Sequence, residues 1–133
     1  MQRLKIRELG PRSRKISTVI KIVKKLNEKD VISRTDGLKH KISEFLVGDE
    51  SGCIIMSLWD SLIDEVMEGS VYEVRNCYIH LFNSSMRLNL GRIASIKQIE
   101  KVLGVNTENN LSEKKIEIPG GKLISELNQP SWG

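Results

Sequence analysis

The sequence predicts an all-β domain in which five strands form a barrel, with a short helix between the third and fourth strands. Three observations point to this fold class. Apolar and polar residues alternate in several runs, turns that contain glycine separate those runs, and one stretch between them has helical spacing. A chain of 133 residues is also long enough to bury a hydrophobic core without disulfides or metal ions.

The first two predicted strands form a hairpin. Residues 16–33 are rich in alternating β-branched side chains, which favours a strand over a helix. The apolar phase shifts near residues 23–26, and such a shift predicts a β-bulge that bends the strand. Asp36 and Gly37 then predict a hairpin turn into the second strand, over residues 39–47.

The third predicted strand ends in a tryptophan and leads into the helix. It covers residues 53–59 and follows a tight turn at residues 48–52. One face is apolar and suits the core, but the opposite face, which includes Trp59, is also largely apolar, and this is unusual for a solvated strand. Residues 60–69 have helical spacing and end at Gly69. The predicted buried side chains of this helix are those of Leu62, Ile63, Val66 and Met67.

The fourth predicted strand, residues 71–82, carries aromatic side chains on its outer face. A one-residue bulge near residues 75–76 accounts for a shift in its alternation. Downstream of that bulge, Tyr78 and Phe82 would project outward together with the histidine between them. A turn then leads into a fifth strand over residues 86–90, and residues 92–99 either continue this strand or form a short closing segment.

The two ends of the chain have different predicted roles. Near the N-terminus three apolar side chains are expected to plug one end of the barrel: Leu4, Ile6 and Leu9. The polar, asparagine-rich stretch that begins at residue 104 predicts a linker and tail, so we expect a domain at residues 1–103 and a C-terminal extension at residues 104–133. Trp132 in that extension either docks a protein partner or packs onto its own domain.

Basic residues are concentrated near the N-terminus. Residues 1–41 contain thirteen Lys and Arg against four Asp and Glu, whereas residues 42–133 contain eight against thirteen. A basic front half suits a polyanionic partner, although a solvated charged surface explains it equally well. The chain has no apolar run of transmembrane length and no segment of signal-peptide type, so we expect an intracellular, cytoplasmic protein without membrane contact.

The residues that usually mark enzymes and metal sites do not form recognisable motifs here. Cys53 and Cys77 lie within apolar strand patterns and are expected to be buried packing residues. His40 and His80 belong to no ligand cluster, and no Walker, HExxH or Ser-His-Asp pattern occurs. The sequence therefore predicts no catalytic residues, no metal site and no cofactor.

The order of five strands, a glycine-rich second turn and a helix after strand three is that of the OB-fold. Three segments, ISEFLVGDESGCIIMSLWD, EGSVYEVRNCYIHLF and RLNLG, carry a family likeness. They resemble the archaeal single-stranded DNA-binding proteins that have a single OB-fold, and the related eukaryotic protein of the sensor-of-ssDNA complex. The resemblance covers residues 16–99.

The resemblance implies a non-enzymatic protein that binds single-stranded DNA in the nucleoid during replication, repair or transcription. In that family an aromatic residue ending strand three and two aromatics on strand four stack the bases, which are positions Trp59, Tyr78 and Phe82 here. Single-stranded RNA and a role as a protein-binding adaptor remain alternatives. Strand positions suggest six phosphate contacts: Arg34, Lys39, Lys41, Arg75, Arg87 and Arg92.

Overall fold

The computed structural model describes residues 2–116, whose strands close into a barrel. The strands are β1 (Gln2–Arg3), β2 (Ile16–Ile32), β3 (Lys39–Asp49), β4 (Gly52–Trp59), β5 (Val71–Phe82) and β6 (Ser85–Ile99). Short 3-10 helices cover Ile6–Glu8, Asp60–Glu65 and Leu111–Glu113. The strand order is β1-β2-β3-β4-β6-β5, and β5 pairs back with β2 to close the ring. The predicted all-β fold with five barrel strands, here β2 to β6, is confirmed.

The strand pairings are antiparallel except at two places. β2 pairs with β3 and β5, β3 with β4, and β5 with β6, all in antiparallel register. The short β1 runs parallel to β2. β4 and β6 meet in parallel over three register pairs, which join residues 55–57 to residues 87–89. This β4–β6 seam is the narrowest junction between barrel strands.

Both predicted bulges occur in the structure. The β2–β3 register shifts between Ile22 and Lys24 and again between Lys25 and Asn27, inside the stretch where the apolar phase changes. The β5–β6 register shifts between Arg75 and Cys77, and Asn76 between them has a φ of 61°. After the second bulge the apolar residues of β5 again point into the barrel, so the residues that alternate with them point to the outer face.

The core consists mainly of the inward-facing aliphatic side chains of all five barrel strands, together with the rings of Phe45 and Tyr72. The predicted plug at the N-terminus is confirmed, since Ile6 and Leu9 are buried in this core and Leu4 packs against it. Both cysteines are buried thiols, as the strand patterns predict. Burial raises the pKa of the Cys77 thiol to about 12, which keeps it protonated at neutral pH.

The helix between the third and fourth barrel strands is shorter than predicted. It is a 3-10 helix over Asp60–Glu65, and Ile63 and Val66 are buried as expected. The predicted burial of Met67 is wrong, because this side chain is 60% exposed. Val66 already has extended backbone angles, with φ of −118° and ψ of 149°. The helix therefore ends at Glu65, two residues before Met67, and its buried face does not extend to Met67.

Residues 105–116 pack against the barrel, whereas the sequence predicts a linker there. Leu111 is 3% exposed and belongs to the core, and the Cys53 amide donates to the Asn109 carbonyl at 2.9 Å. The Ser112 hydroxyl accepts from the Ile55 amide at 2.8 Å. We call residues 105–116 the C-terminal strap. No helix of the described chain is long and apolar enough to cross a lipid bilayer.

Candidate nucleic-acid interface

The predicted stacking residues lie on the outer face of the sheet formed by β4, β6 and β5. Ser57 on β4 is in register with Asn89 on β6, and Asn89 is in register with Tyr78 on β5. Trp59 follows Ser57 along β4, while Phe82 lies four residues beyond Tyr78 on β5, which runs the opposite way. Trp59 and Phe82 therefore lie toward opposite ends of one face, with Tyr78 between them.

The three aromatic side chains differ in exposure. Phe82 is 45% exposed, whereas Trp59 and Tyr78 are half-buried. Burial raises the pKa of the Tyr78 phenol, so this side chain is neutral at physiological pH. Their roles in stacking stay a prediction.

Phe82 lies at the wall of a groove on this outer face. Trp59 and Tyr78 occupy the same face but do not line this groove. The lining combines apolar, cationic and polar side chains: Lys29, Val31, Ile42, Glu44, Ser57, His80, Phe82 and Arg87.

Two of the six predicted phosphate contacts, Lys39 and Lys41, are exposed on β3, on the side of the strand opposite to Ile42 and Glu44, which line the groove. The Nζ atom of Lys39 is 3.4 Å from a carboxylate oxygen of Asp30, and that of Lys41 is 3.6 Å from one of Glu28. Such exposed ion pairs contribute little to stability and are screened by salt. The carboxylates can therefore be replaced by a phosphate at little cost.

The other exposed candidates lie at separate places on the barrel. Arg34 is exposed in the loop between β2 and β3, and Arg75 on β5 is exposed and pairs with Glu73 at 3.1 Å. Arg92 lies on β6, but its side chain falls outside the described residues, as does the whole of Trp132. The five predicted cations whose side chains are described are therefore not gathered into one cluster.

Arg87 differs from the other predicted cations because it is held from several sides. Its side chain is 14% exposed, and its Nε donates to a carboxylate oxygen of Glu44 at 2.9 Å. A second guanidinium nitrogen donates to the Ser85 hydroxyl, and the guanidinium carbon lies 5.8 Å from the centre of the Phe82 ring. Burial opposes ionisation of Glu44, but hydrogen bonds from Asn27 and Arg87 outweigh it and lower the pKa of this carboxyl.

His40 connects the β2–β3 loop to the 3-10 helix that follows Trp59. Its Nδ1 lies 2.7 Å from Asp60, and its Nε2 lies 3.0 Å from Asp36. The hydrogen bond with Asp60, and then the one with Asp36, raises the pKa of His40. Asp60 also accepts from the Lys41 amide at 2.9 Å, which anchors the backbone directly after Trp59.

Sequence reasoning missed the buried polar side chains on the outer face. His80 and Asn89 are buried there, at 7% and 2% exposure, in positions where alternation alone predicts ordinary solvated residues. The side-chain amide nitrogen of Asn89 has no hydrogen-bond partner among the described residues. In residues 2–116, no three His, Cys, Asp or Glu side chains lie close enough to hold a metal ion.

A protein-family profile described as "single-stranded DNA binding protein Ssb-like, OB fold" matches residues 9–98, which is more than half of the chain. The chain belongs to this family. The resemblance seen in the three sequence segments is confirmed.

Individual relatives agree with the family match. The single-stranded DNA binding protein Ssb of Saccharolobus solfataricus is 27% identical over 94 residues, which cover 71% of this chain and 62% of that protein. This chain spans less than two thirds of the length of the curated relatives it matches.

Solved structures show the same fold. A hypothetical protein from Arabidopsis thaliana superimposes with a TM-score of 0.70 at 24% identity, covering 89% of this chain and 88% of that one. The second OB-fold domain of replication protein A from Methanococcus maripaludis gives a TM-score of 0.60 at 30% identity, covering 77% of this chain and all, 100%, of that one. The predicted OB-fold is therefore confirmed.

Proposed function

We propose that this protein is a non-enzymatic single-stranded DNA-binding protein that stacks bases on Trp59, Tyr78 and Phe82 during replication, repair or transcription. The observation that carries the proposal is the exposed Phe82 ring, 45% accessible at the wall of an outer-face groove in an Ssb-like OB-fold. Every base has an apolar face, so aromatic platforms accept a strand of any sequence.

The spacing of the three rings supports a short binding site. Trp59 and Phe82 lie toward opposite ends of the face, so a bound strand would cross β4, β6 and β5. Each stacked base contributes about 1–3 kcal/mol, and three platforms suit a site of roughly 4–5 nucleotides.

Exposed cations on β3 support an electrostatic contribution of moderate size. Lys39 and Lys41 are exposed, and phosphates could replace the carboxylates with which they pair. Binding releases counterions from the strand, so affinity should fall as the salt concentration rises. The predicted roles of Arg34, Arg75 and Arg92 as phosphate contacts belong to the same proposal.

A fluorescence titration tests the proposal. In a Trp132→Phe background Trp59 is the remaining tryptophan, so oligo(dT) stacking on it should quench its emission, less strongly at higher salt. Phe82→Ala should weaken binding by about 1–3 kcal/mol. Val102→Ala serves as the control, because Val102 is fully exposed outside the groove lining and its loss should change nothing. Unchanged affinity in the Phe82→Ala protein would refute the platform.

A protein-adaptor function is the second candidate, and the ion pairs favour it. Four of the six predicted phosphate contacts, Lys39, Lys41, Arg75 and Arg87, already have carboxylate partners, which lowers the net attraction for a polyanion. A protein that binds no oligo(dT) at low salt would support this alternative. Docking of a protein partner through Trp132 also stays a prediction. Competition between oligo(dT) and oligo(U) separates DNA from RNA binding.

A further inference from the structure

The guanidinium of Arg87 connects the Phe82 ring to two other groups on the outer face. It lies over the ring at 5.8 Å from its centre, it donates to Glu44 at 2.9 Å, and it donates to the Ser85 hydroxyl. Ser85 is itself in register with Phe82 across the β5–β6 hairpin. We propose that Arg87 is a positioning residue that orients Phe82 for base stacking and does not neutralise a phosphate. This inference rests on the proposed function.

The charge of Arg87 is already compensated. Its side chain is 14% exposed, and the carboxylate of Glu44 that it contacts is 22% exposed. A phosphate that approached this guanidinium would also approach Glu44, so attraction and repulsion would largely cancel. Arg87 therefore differs from Lys39 and Lys41, whose side chains are 68% and 53% exposed and whose partners can move away into solvent.

Glu44 is fixed before any ligand arrives. Asn27 on β2 donates to one of its carboxylate oxygens at 2.9 Å, while Arg87 donates to the other. These hydrogen bonds lower the pKa of the carboxyl despite its partial burial, so it is charged at neutral pH. Ser57, the β4 residue in register with Glu44, is small, and this leaves room for Arg87 to reach Glu44 from β6.

The result is a line of contacts that crosses the barrel face and ends at the aromatic ring. Asn27 and Arg87 both donate hydrogen bonds to the Glu44 carboxylate, and Arg87 lies over the Phe82 ring. A cation over an aromatic face is attracted by the electrons of the ring and limits its rotation. Phe82 is the last residue of β5 and is 45% exposed. Without the contact with Arg87, its ring would adopt more conformations in the free protein, and stacking a base on it would cost more conformational entropy.

A double-mutant cycle with oligo(dT) tests the role of Arg87. If Arg87 acts through Phe82, Arg87→Gln weakens binding about two- to tenfold in the wild-type background. The same change then has no further effect in the Phe82→Ala background. Equal weakening in both backgrounds would overturn the inference, because the effect would not pass through the ring.

The salt dependence of binding provides an independent readout. A residue that neutralises one phosphate of a single strand contributes about 0.7 to the slope of log K against log salt concentration. We expect Arg87→Gln to leave this slope unchanged, whereas the control Lys41→Gln lowers it if Lys41 contacts a phosphate. A slope that falls by about 0.7 in Arg87→Gln would show a phosphate contact and overturn the inference.

A conservative variant keeps the test valid if Arg87→Gln folds poorly. Arg87→Lys retains the charge but loses the planar, forked donor group. If Arg87 positions Phe82, the Arg87→Lys protein loses as much affinity for oligo(dT) as the Arg87→Gln protein. If Arg87 instead binds a phosphate, the Arg87→Lys protein keeps most of its affinity, and this result would overturn the inference. A wild-type protein that binds no oligo(dT) at low salt would instead refute the proposed function, and the inference with it.

Discussion

The Ser112 hydroxyl donates to the backbone carbonyl of Met86 at 2.5 Å, which attaches the C-terminal strap to β6. The same oxygen accepts from the Ile55 amide of β4 at 2.8 Å. The β4–β6 seam has three register pairs of its own, at residues 55–57 and 87–89. One side chain from outside the five barrel strands thus lengthens the narrowest junction of the barrel.

Removing this hydroxyl should destabilise the fold. Ser112→Ala leaves the Ile55 amide and the Met86 carbonyl without their partner in a buried place, and we expect the free energy of unfolding to fall by about 1–3 kcal/mol. Urea unfolding measures it. Ser61→Ala, an exposed change in the 3-10 helix, is the control and should be neutral. Equal stability of both variants would mean that water replaces the bridge.

Two truncations should separate the strap from the rest of the C-terminal extension. A chain that ends at residue 103 loses the buried Leu111 as well as Ser112, so its melting temperature should fall clearly below that of a chain ending at residue 116. Thermal unfolding followed by circular dichroism measures both. If the two truncated chains melt together, the domain ends at residue 103, as the sequence predicts.

A buried hydroxyl on β2 should be replaceable with a gain in stability. Thr18 is fully buried, and its Oγ1 has no hydrogen-bond partner among the described residues. Thr18→Val keeps the shape and the β-branching but removes the unpaired polar atom, so the free energy of unfolding should rise by about 1–3 kcal/mol. Chemical denaturation measures the change, and the exposed Thr107→Val is the neutral control. A decrease in stability would show that water reaches Thr18 Oγ1.

Stability should depend on pH through His40. Asp60 and Asp36 raise its pKa in the folded state above the ordinary value of about 6.5. The hydrogen bonds of protonated His40 therefore stabilise the fold fully at pH values below the ordinary pKa. This stabilisation is lost as the pH rises through the higher pKa of the folded state. Unfolding free energies at several pH values from acidic to alkaline should decline in this window for the wild type. His40→Gln should flatten that decline, and an identical profile in the two proteins would contradict this assignment.

Local patterns predicted most of the fold. β5 covers Val71–Phe82 as alternation predicts, and its bulge lies at Asn76, because a register shift must reverse the parity of every later residue. The alternation of inward-facing and outward-facing side chains along β5 was also sufficient to place Phe82 outside the core. Helical spacing was less reliable, since Val66 turned extended and left Met67 in solvent.

Features that depend on distant residues could not be predicted. The strap buries a lone Leu111 within a polar stretch, and a single apolar residue has no periodicity to reveal it. The contact of Arg87 with Glu44 joins residues 43 positions apart on strands that are not sequence neighbours. Position along a strand therefore could not indicate that Arg87 is already engaged.

The strap also determines where the described chain leaves the barrel. The Ile116 amide donates to the Ser84 carbonyl at 2.9 Å, in the tight turn that follows Phe82. Asn83 and Ser84 both have positive φ, at 50° and 66°, so this turn holds a compact, defined shape. A dye coupled at residue 116 would accordingly lie beside the turn that follows Phe82, where it could report an arriving strand while every aromatic ring stays unmodified.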